Sequence, residues 1–298
     1  MEPQLNFSPS SLFALNVCIA FIMFGVALEI KPSHFYQLRH NKKALLTGFT
    51  SQYILLPLAT IFLIYVLEPS TGIALGMLLV ACCPGGNVSN FFTLIAKGNL
   101  ALSVTLTAFS SLFAFIITPL SFFTWASLLP TLSGDIKSFE INFFDLFYNM
   151  IGILLLPLLA GMLFAHYLTA TTLKIAKAVR VLSILMLIGF IVVALNNNQK
   201  AFSEHILTVF WIVLLHNGFG LIGAYFFSAA LKNDEAVNRT VAIETGIQNS
   251  GLGLVLIFTF FDGNGSMAMV AAWWGVWHLI SGFIFSFIIK RKPIVLST

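Results

Sequence analysis

Long apolar stretches recur along this chain from Ser11 to Ile289, separated by short clusters of charged residues, glycine and proline. A helix needs about 20 consecutive apolar residues to cross the hydrocarbon core of a bilayer. Cut on that length, the pattern predicts nine spans, over 11–29, 44–66, 72–96, 100–129, 142–165, 178–196, 205–231, 239–261 and 266–289. The connections carry residues suited to turns and interfaces: Lys31-Pro32, Glu68-Pro69-Ser70, Lys97-Gly98-Asn99 and Asp262-Gly263-Asn264-Gly265. The expected fold class is all-α: a polytopic membrane protein with nine transmembrane helices, in a single transmembrane domain over 1–298.

Composition agrees with that solvent. Of 298 residues, 58% are hydrophobic and 9% charged, whereas soluble domains carry about 25% charged residues. The net charge of +4 therefore does not argue for nucleic acid, and its distribution along the chain explains it. Lys31, Arg39, Lys42, Lys43, Lys97, Lys174, Lys177, Arg180, Lys232, Arg239, Lys290, Arg291 and Lys292 fall on one side of the nine-span arrangement; Lys137 and Lys200 fall on the other. By the positive-inside rule the N-terminus is expected outside and the C-terminus in the cytoplasm of a multi-pass cell-membrane protein. Met1–Ser10 lacks the basic region and cleavage site of a signal peptide, so the first span is expected to be retained. Cys18, Cys82 and Cys83 lie in apolar segments without CxxC or Cys/His spacing, which points to neither a zinc site nor a disulfide framework.

Two spans contain what a plain membrane helix avoids. The third carries Cys82-Cys83-Pro84-Gly85-Gly86-Asn87-Val88-Ser89-Asn90, and the eighth carries Glu244-Thr245-Gly246-Ile247-Gln248-Asn249-Ser250-Gly251. Unwound backbone at mid-bilayer is tolerated only where protein or a water-filled cavity satisfies its polar groups. The breaks are five spans apart, and an odd offset inverts topology. The sequence thus predicts two inverted repeats, 11–129 with four helices and 142–289 with five. Paired broken helices at matching positions of inverted halves mark the binding region of secondary transporters.

Glu244 is the one acidic residue deep within a predicted span, and no Lys or Arg lies equally deep to pair with it. An intramembrane carboxylate needs a counter-charge, here a proton or a bound cation. The amide and hydroxyl oxygens around it are hard ligands that suit Na⁺. Ser103 and Thr107, four apart, share one helical face.

With these residues assembled, the chain resembles the bile acid:sodium symporter family over most of its length. The resemblance rests on Cys82-Cys83-Pro84-Gly85-Gly86 with Ser89-Asn90, Gly98-Asn99-Leu100-Ala101-Leu102-Ser103, Leu215-His216-Asn217-Gly218, Glu244 to Leu252, Trp277-His278 and Met23 to Leu28. It implies inverted repeats with two crossing discontinuous helices, a core domain of spans two, three, four, seven, eight and nine, and a panel domain of spans one, five and six. It also implies two Na⁺ ions and no organic cofactor. One ion would use Ser89, Asn90, Ser103, Thr107 and Glu244; the other would use Gln52, Glu244, Gln248 and the main-chain carbonyls of Thr245 and Ile247. An organic anion, bile-acid-like or a small carboxylate, would meet Asn87, Asn249 and His278. Asn87 stands where relatives often have Thr, and Leu279 where some have Asn. His278 and His216 also read as packing residues.

The expected function is therefore sodium-coupled symport of an organic anion by alternating access, by a protein that lies in the lipid bilayer, binds no nucleic acid and works as a monomer. Two alternatives remain: a proton-coupled or sodium-independent carrier or exporter on the same scaffold, and an ion channel. An enzyme is not expected, since HExxH, a pair of intramembrane Asp residues and GxSG are all missing from the sequence.

Overall fold

A computed structural model of the chain describes residues 9–28, 41–86, 88–129, 143–197 and 199–292. All regular elements among them are helices, and the sole β feature is one isolated bridge. In chain order they are α1 (Pro9–Ala27), α2 (Lys42–Leu67), α3 (Thr71–Cys82), α4 (Val88–Ile95), α5 (Leu100–Leu112), α6 (Ala114–Ser127), α7 (Phe143–Tyr167) and α8 (Thr169–Asn197). There follow α9 (Gln199–Gly218, carried on through Phe219–Gly223 into Ala224–Ala230), α10 (Glu235–Gly246), α11 (Ser250–Phe260) and α12 (Gly265–Ile289).

Four described stretches are continuous, long and apolar enough to cross a membrane: α2, α7, Ile206–Ala230 of α9, and α12. The fourth expected span is different. It is two helices, α5 and α6, bent by 79° at Phe113, whose φ of −96° and ψ of 6° leave the helical region. The pair Ser110-Ser111 just before it is the only break in the apolar run at that point. Side chains such as Phe62, Leu94, Leu163, Leu185, Phe226 and Ile288 stand exposed around the outside, as they must if lipid is the solvent.

Three helices contain a single wider, π-type turn: Ser51–Leu55 in α2, Ile151–Leu155 in α7 and Phe219–Gly223 in α9. The first two are followed within two residues by Pro57 and Pro157. Proline has no N–H to give the carbonyl four residues back. In α2 that carbonyl belongs to Tyr53, and Trp125 Nε1 of α6 donates to it at 3.2 Å. The loosened turn thereby gains a tertiary bond.

α1, α7 and α8 pack mainly on one another. Gly161 of α7 lets the backbone of Phe24 approach, and Phe24 and Phe164 meet edge to face with centroids 5.7 Å apart. The larger hydrophobic core is centred on α3, α11 and α12, where Leu75 to Val80, Leu254 to Ile257, Met267 to Ala271 and Trp274 are buried, and it takes in Ile19 and Met23 of α1 and Leu146, Met150 and Leu154 of α7. α12 runs along α3, α9 and α11 and forms the wall behind both broken helices.

Candidate cation and anion site at the helix crossing

Both expected breaks are present. α3 stops at Cys82 because Cys83 is extended, with φ −69° and ψ 156°, as residues before proline are pushed to be. α10 stops at Gly246 and α11 restarts at Ser250, with Asn249 Oδ1 accepting from the Leu252 N–H at 3.1 Å as its cap. The two gaps meet in an antiparallel bridge between Gly85 and Gln248. Gly86 N–H donates to the Ile247 carbonyl, and Asn249 N–H to the Pro84 carbonyl, both at 2.8 Å. Each unwound segment thus satisfies polar groups that the other leaves free. The crossing is tight: a Cβ at Gly85 would lie 3.0 Å from Glu244 Oε2.

Glu244, in the penultimate residue but one of α10, is 1% exposed. Its Oε1 accepts hydrogen bonds from Ser89 Oγ of α4 at 2.5 Å and from Ser103 Oγ of α5. Its Oε2 accepts from Thr107 Oγ1 of α5 at 2.9 Å. Asn90 joins through its Oδ1, 2.9 Å from Ser103 Oγ, and Ser89 and Thr107 hydroxyls are 3.2 Å apart. Three helices therefore bring hydroxyl and amide oxygens to one carboxylate. Hydroxyls that donate to a carboxylate keep lone pairs free for a hard cation.

Of the second expected ligand set, Gln52 lies beside the same carboxylate. Gln52, in the π-type turn of α2, is fully buried with neither amide atom bonded to protein. A Cβ at Gly85 would stand 3.6 Å from Gln52 Nε2 as well as 3.0 Å from Glu244 Oε2, so the two side chains are neighbours. Gln248 gives its Nε2 to the Thr245 carbonyl at 2.7 Å and keeps a buried, unbonded Oε1. The Thr245 and Ile247 carbonyls already accept one bond each, from Gln248 and Gly86, which leaves each oxygen a second lone pair. Buried amide atoms without partners cost about 1–3 kcal/mol apiece. Their gathering beside a carboxylate makes chemical sense as a ligand set for a cation passing through.

One arginine on the same helix as Glu244 is buried. Arg239, five residues before Glu244 on α10, is fully buried. Its guanidinium is engaged elsewhere: with Glu235 Oε1 at 3.1 Å, the Ala96 carbonyl at 2.8 Å and the Lys292 carbonyl at 2.5 Å. Glu244 accordingly has no protein cation bonded to it among the described residues.

For a candidate anion site, α4 and α11 both begin at the crossing, which brings the positive ends of two helix dipoles together. Asn249 spends its oxygen on the α11 cap and has its Nδ2 to offer. His278 of α12 is buried with Nδ1 unbonded. Asn87 lies outside the described residues. Sequence reasoning passed over Ser51, whose Oγ is 2.8 Å from Thr245 Oγ1 and which ties α2 to the end of α10. The polar pair Ser51-Gln52 within an apolar run was the available signal. Cys82 and Cys83 are fully buried in the hydrophobic core.

Comparison with known proteins bears on this geometry. The profile of the Sodium Bile acid symporter family matches residues 16–205. The chain belongs to this family. An uncharacterized sodium-dependent transporter of Bacillus subtilis, YocS, is 32% identical over 284 residues, covering 93% of this chain and 85% of its own. The chain is similarly 32% identical over 279 residues to the probable sodium/metabolite cotransporter BASS1 of Arabidopsis thaliana, covering 93% of this chain and 66% of the plant protein. The rice BASS1 is 30% identical over 283 residues, 95% of this chain and 67% of its own. Both crossing segments and the Glu244 cluster are thus features of a chain in a transporter family, and family membership supports a role in carriage across a membrane over one in catalysis.

Proposed function

We propose that this protein is a secondary active transporter that carries an organic anion together with sodium by alternating access. The observation that carries the reading is Glu244: a carboxylate deep in the membrane region, bonded by Ser89, Ser103 and Thr107 and bordered by the unbonded amide atoms of Gln52 and Gln248. Sodium is the cargo that this oxygen-rich, arginine-free cluster suits. One ion takes oxygens from Ser89, Asn90, Ser103, Thr107 and Glu244. The second takes Gln52, Glu244, Gln248 and the carbonyls of Thr245 and Ile247.

Charge then couples the ions to the solute. Two Na⁺ beside one ionised Glu244 give the crossing a net charge near +1, and a monovalent carboxylate arriving at the α4 and α11 N-termini, with Asn87, Asn249 and His278 around it, neutralises it. Movement follows from the packing. α1, α7 and α8, which contact each other more than the rest, form a panel against which the helices around the crossing rock. The π-type turns of α2 and α9, at matching positions of the two proposed inverted repeats, flank the end of α10 from two sides and fit such an arrangement.

The test is uptake of a panel of organic anions, from bile-acid-like molecules to small carboxylates, into proteoliposomes under a sodium gradient or with choline in its place. Uptake of at least one anion that requires sodium supports the proposal. A transported anion indifferent to sodium contradicts it.

A further inference from the structure

The pair His216-Asn217 carries no role in the account above, yet both side chains are fully buried and both are bonded. His216 Nε2 lies 2.6 Å from Thr60 Oγ1 of α2. The same Thr60 hydroxyl lies 2.8 Å from the Leu56 carbonyl, so it stands between the imidazole and its own helix. Asn217 turns the other way: its Nδ2 donates to the Gly246 carbonyl at 2.7 Å.

Gly246 is the last residue of α10, and its carbonyl has lost its helical partner. The N–H four residues on, that of Ser250, bonds to the Gln248 carbonyl instead. Asn217 supplies the missing donor. The rest of that stretch of α9 closes round the same residue. A Cβ at Gly220 would stand 3.5 Å from both the Gly246 Cα and the Thr245 carbonyl, and a Cβ at Gly246 would fall 2.4 Å from Leu221 Cδ2. Gly246 has the widest backbone freedom of any residue type, and it sits between the two carbonyls, Thr245 and Ile247, that the second sodium ion needs. A peptide unit is planar. Anchoring the Gly246 carbonyl therefore fixes the plane it shares with Ile247, which limits the torsions at Gly246 and Ile247 through which the neighbouring carbonyls are aimed.

We infer that Asn217 is a positioning residue for the second sodium site, holding the end of α10 so that the Thr245 and Ile247 carbonyls face Gln52 and Gln248. This rests on the sodium reading given above, and it assigns to α9 a share in ion affinity although no α9 side chain touches the ion. Asn217→Leu keeps the volume and removes the donor. Thr60→Val removes a buried bond of similar kind from the adjoining histidine without touching Gly246.

Thermal unfolding of the purified full chain is followed against sodium chloride, with choline chloride holding ionic strength constant, since a ligand that binds the native state raises the midpoint by mass action. In Asn217→Leu the sodium concentration giving half the stabilisation rises about tenfold, the factor that loss of about 1.4 kcal/mol of binding produces. Thr60→Val lowers the sodium-free midpoint and leaves the half-point of the sodium curve where it is in the wild type. Should Asn217→Leu not fold, Asn217→Ser is measured in its place, with the same upward shift expected. An Asn217 variant with a lower sodium-free midpoint and an unshifted sodium curve overturns the inference, as does an equal shift in Thr60→Val. A wild type that sodium does not stabilise, or a Glu244→Gln variant stabilised like wild type, overturns the sodium reading and this inference together.

Discussion

Ser89 and Glu244 stand 155 residues apart in the chain, and the serine hydroxyl donates to Glu244 Oε1 at 2.5 Å. The bond joins the first residues of the half-helix α4 to the last residues of the half-helix α10, so the two breaks act as one site. Ser103 and Thr107 of α5 complete the contacts from a third helix.

Removing those hydroxyls singly should weaken sodium binding without emptying the site. A hydrogen bond to a charged group contributes about 1.5–3 kcal/mol. Ser103→Ala and Thr107→Ala are each expected to raise the sodium concentration for half-maximal uptake by about tenfold or more. The measurement is initial uptake rate against sodium at saturating anion. An unchanged half-point in both variants would separate these hydroxyls from the ion.

Gly246→Ala tests the fit between α9 and the end of α10. The added methyl carbon would lie 2.4 Å from Leu221 Cδ2, and overpacking of this kind costs about 1–3 kcal/mol. The expected outcome is a lowered unfolding midpoint that the double variant Gly246→Ala/Leu221→Ala partly restores. Additive effects in the double-mutant cycle would mean that the two residues do not meet.

Arg239 is an anchor with no part in the ion site. It bonds Glu235 and the carbonyls of Ala96 and Lys292, which joins the end of α4, the first turn of α10 and the chain after α12. Arg239→Met leaves the carbonyls of Ala96 and Lys292 short of a partner and takes one partner from the half-buried Glu235, which keeps Tyr225 and Lys292; each unsatisfied buried group costs about 1–3 kcal/mol. The expected readout is a large fall in the midpoint with the sodium half-point retained in whatever protein folds.

Net charge movement follows from the proposed stoichiometry. Two Na⁺ with one monoanion carry one positive charge inward, so each 100 mV of inside-negative potential favours uptake by about 2.3 kcal/mol. Imposing such a potential on proteoliposomes with a potassium gradient and valinomycin should raise the accumulation of a transported monoanion. Indifference to the imposed potential would require one sodium per monoanion instead.

Much of this arrangement is legible in the sequence because lipid as solvent leaves few reasons for polar residues. Pro84, Gly85, Glu244, Gln248 and Asn249 stand out against long apolar runs, and the physics of unsatisfied backbone says that such runs must be broken over polar surroundings. The bend at Phe113 is marked only by the Ser110-Ser111 pair before it, a signal that straight membrane helices also carry. The π-type turns are silent, because widening a turn changes no residue type. Arg239 read as an interfacial charge for want of any local sign that its partners, Ala96 and Lys292, come from distant parts of the chain. The contacts of Asn217 and Ser51 are likewise tertiary: each side chain finds the end of α10 only after α2 and α9 have packed round it.

The claim on which the account depends is that Glu244 holds sodium. Binding of radioactive sodium to the purified protein, compared between wild type and Glu244→Gln, tests it most directly, since glutamine keeps the size of the side chain and one accepting oxygen and removes its charge. The account predicts saturable binding in the wild type and a loss of about 100-fold or more in affinity in the variant, the scale set by the 3–5 kcal/mol at stake in an unpaired buried charge. Equal sodium binding by the two proteins would contradict it.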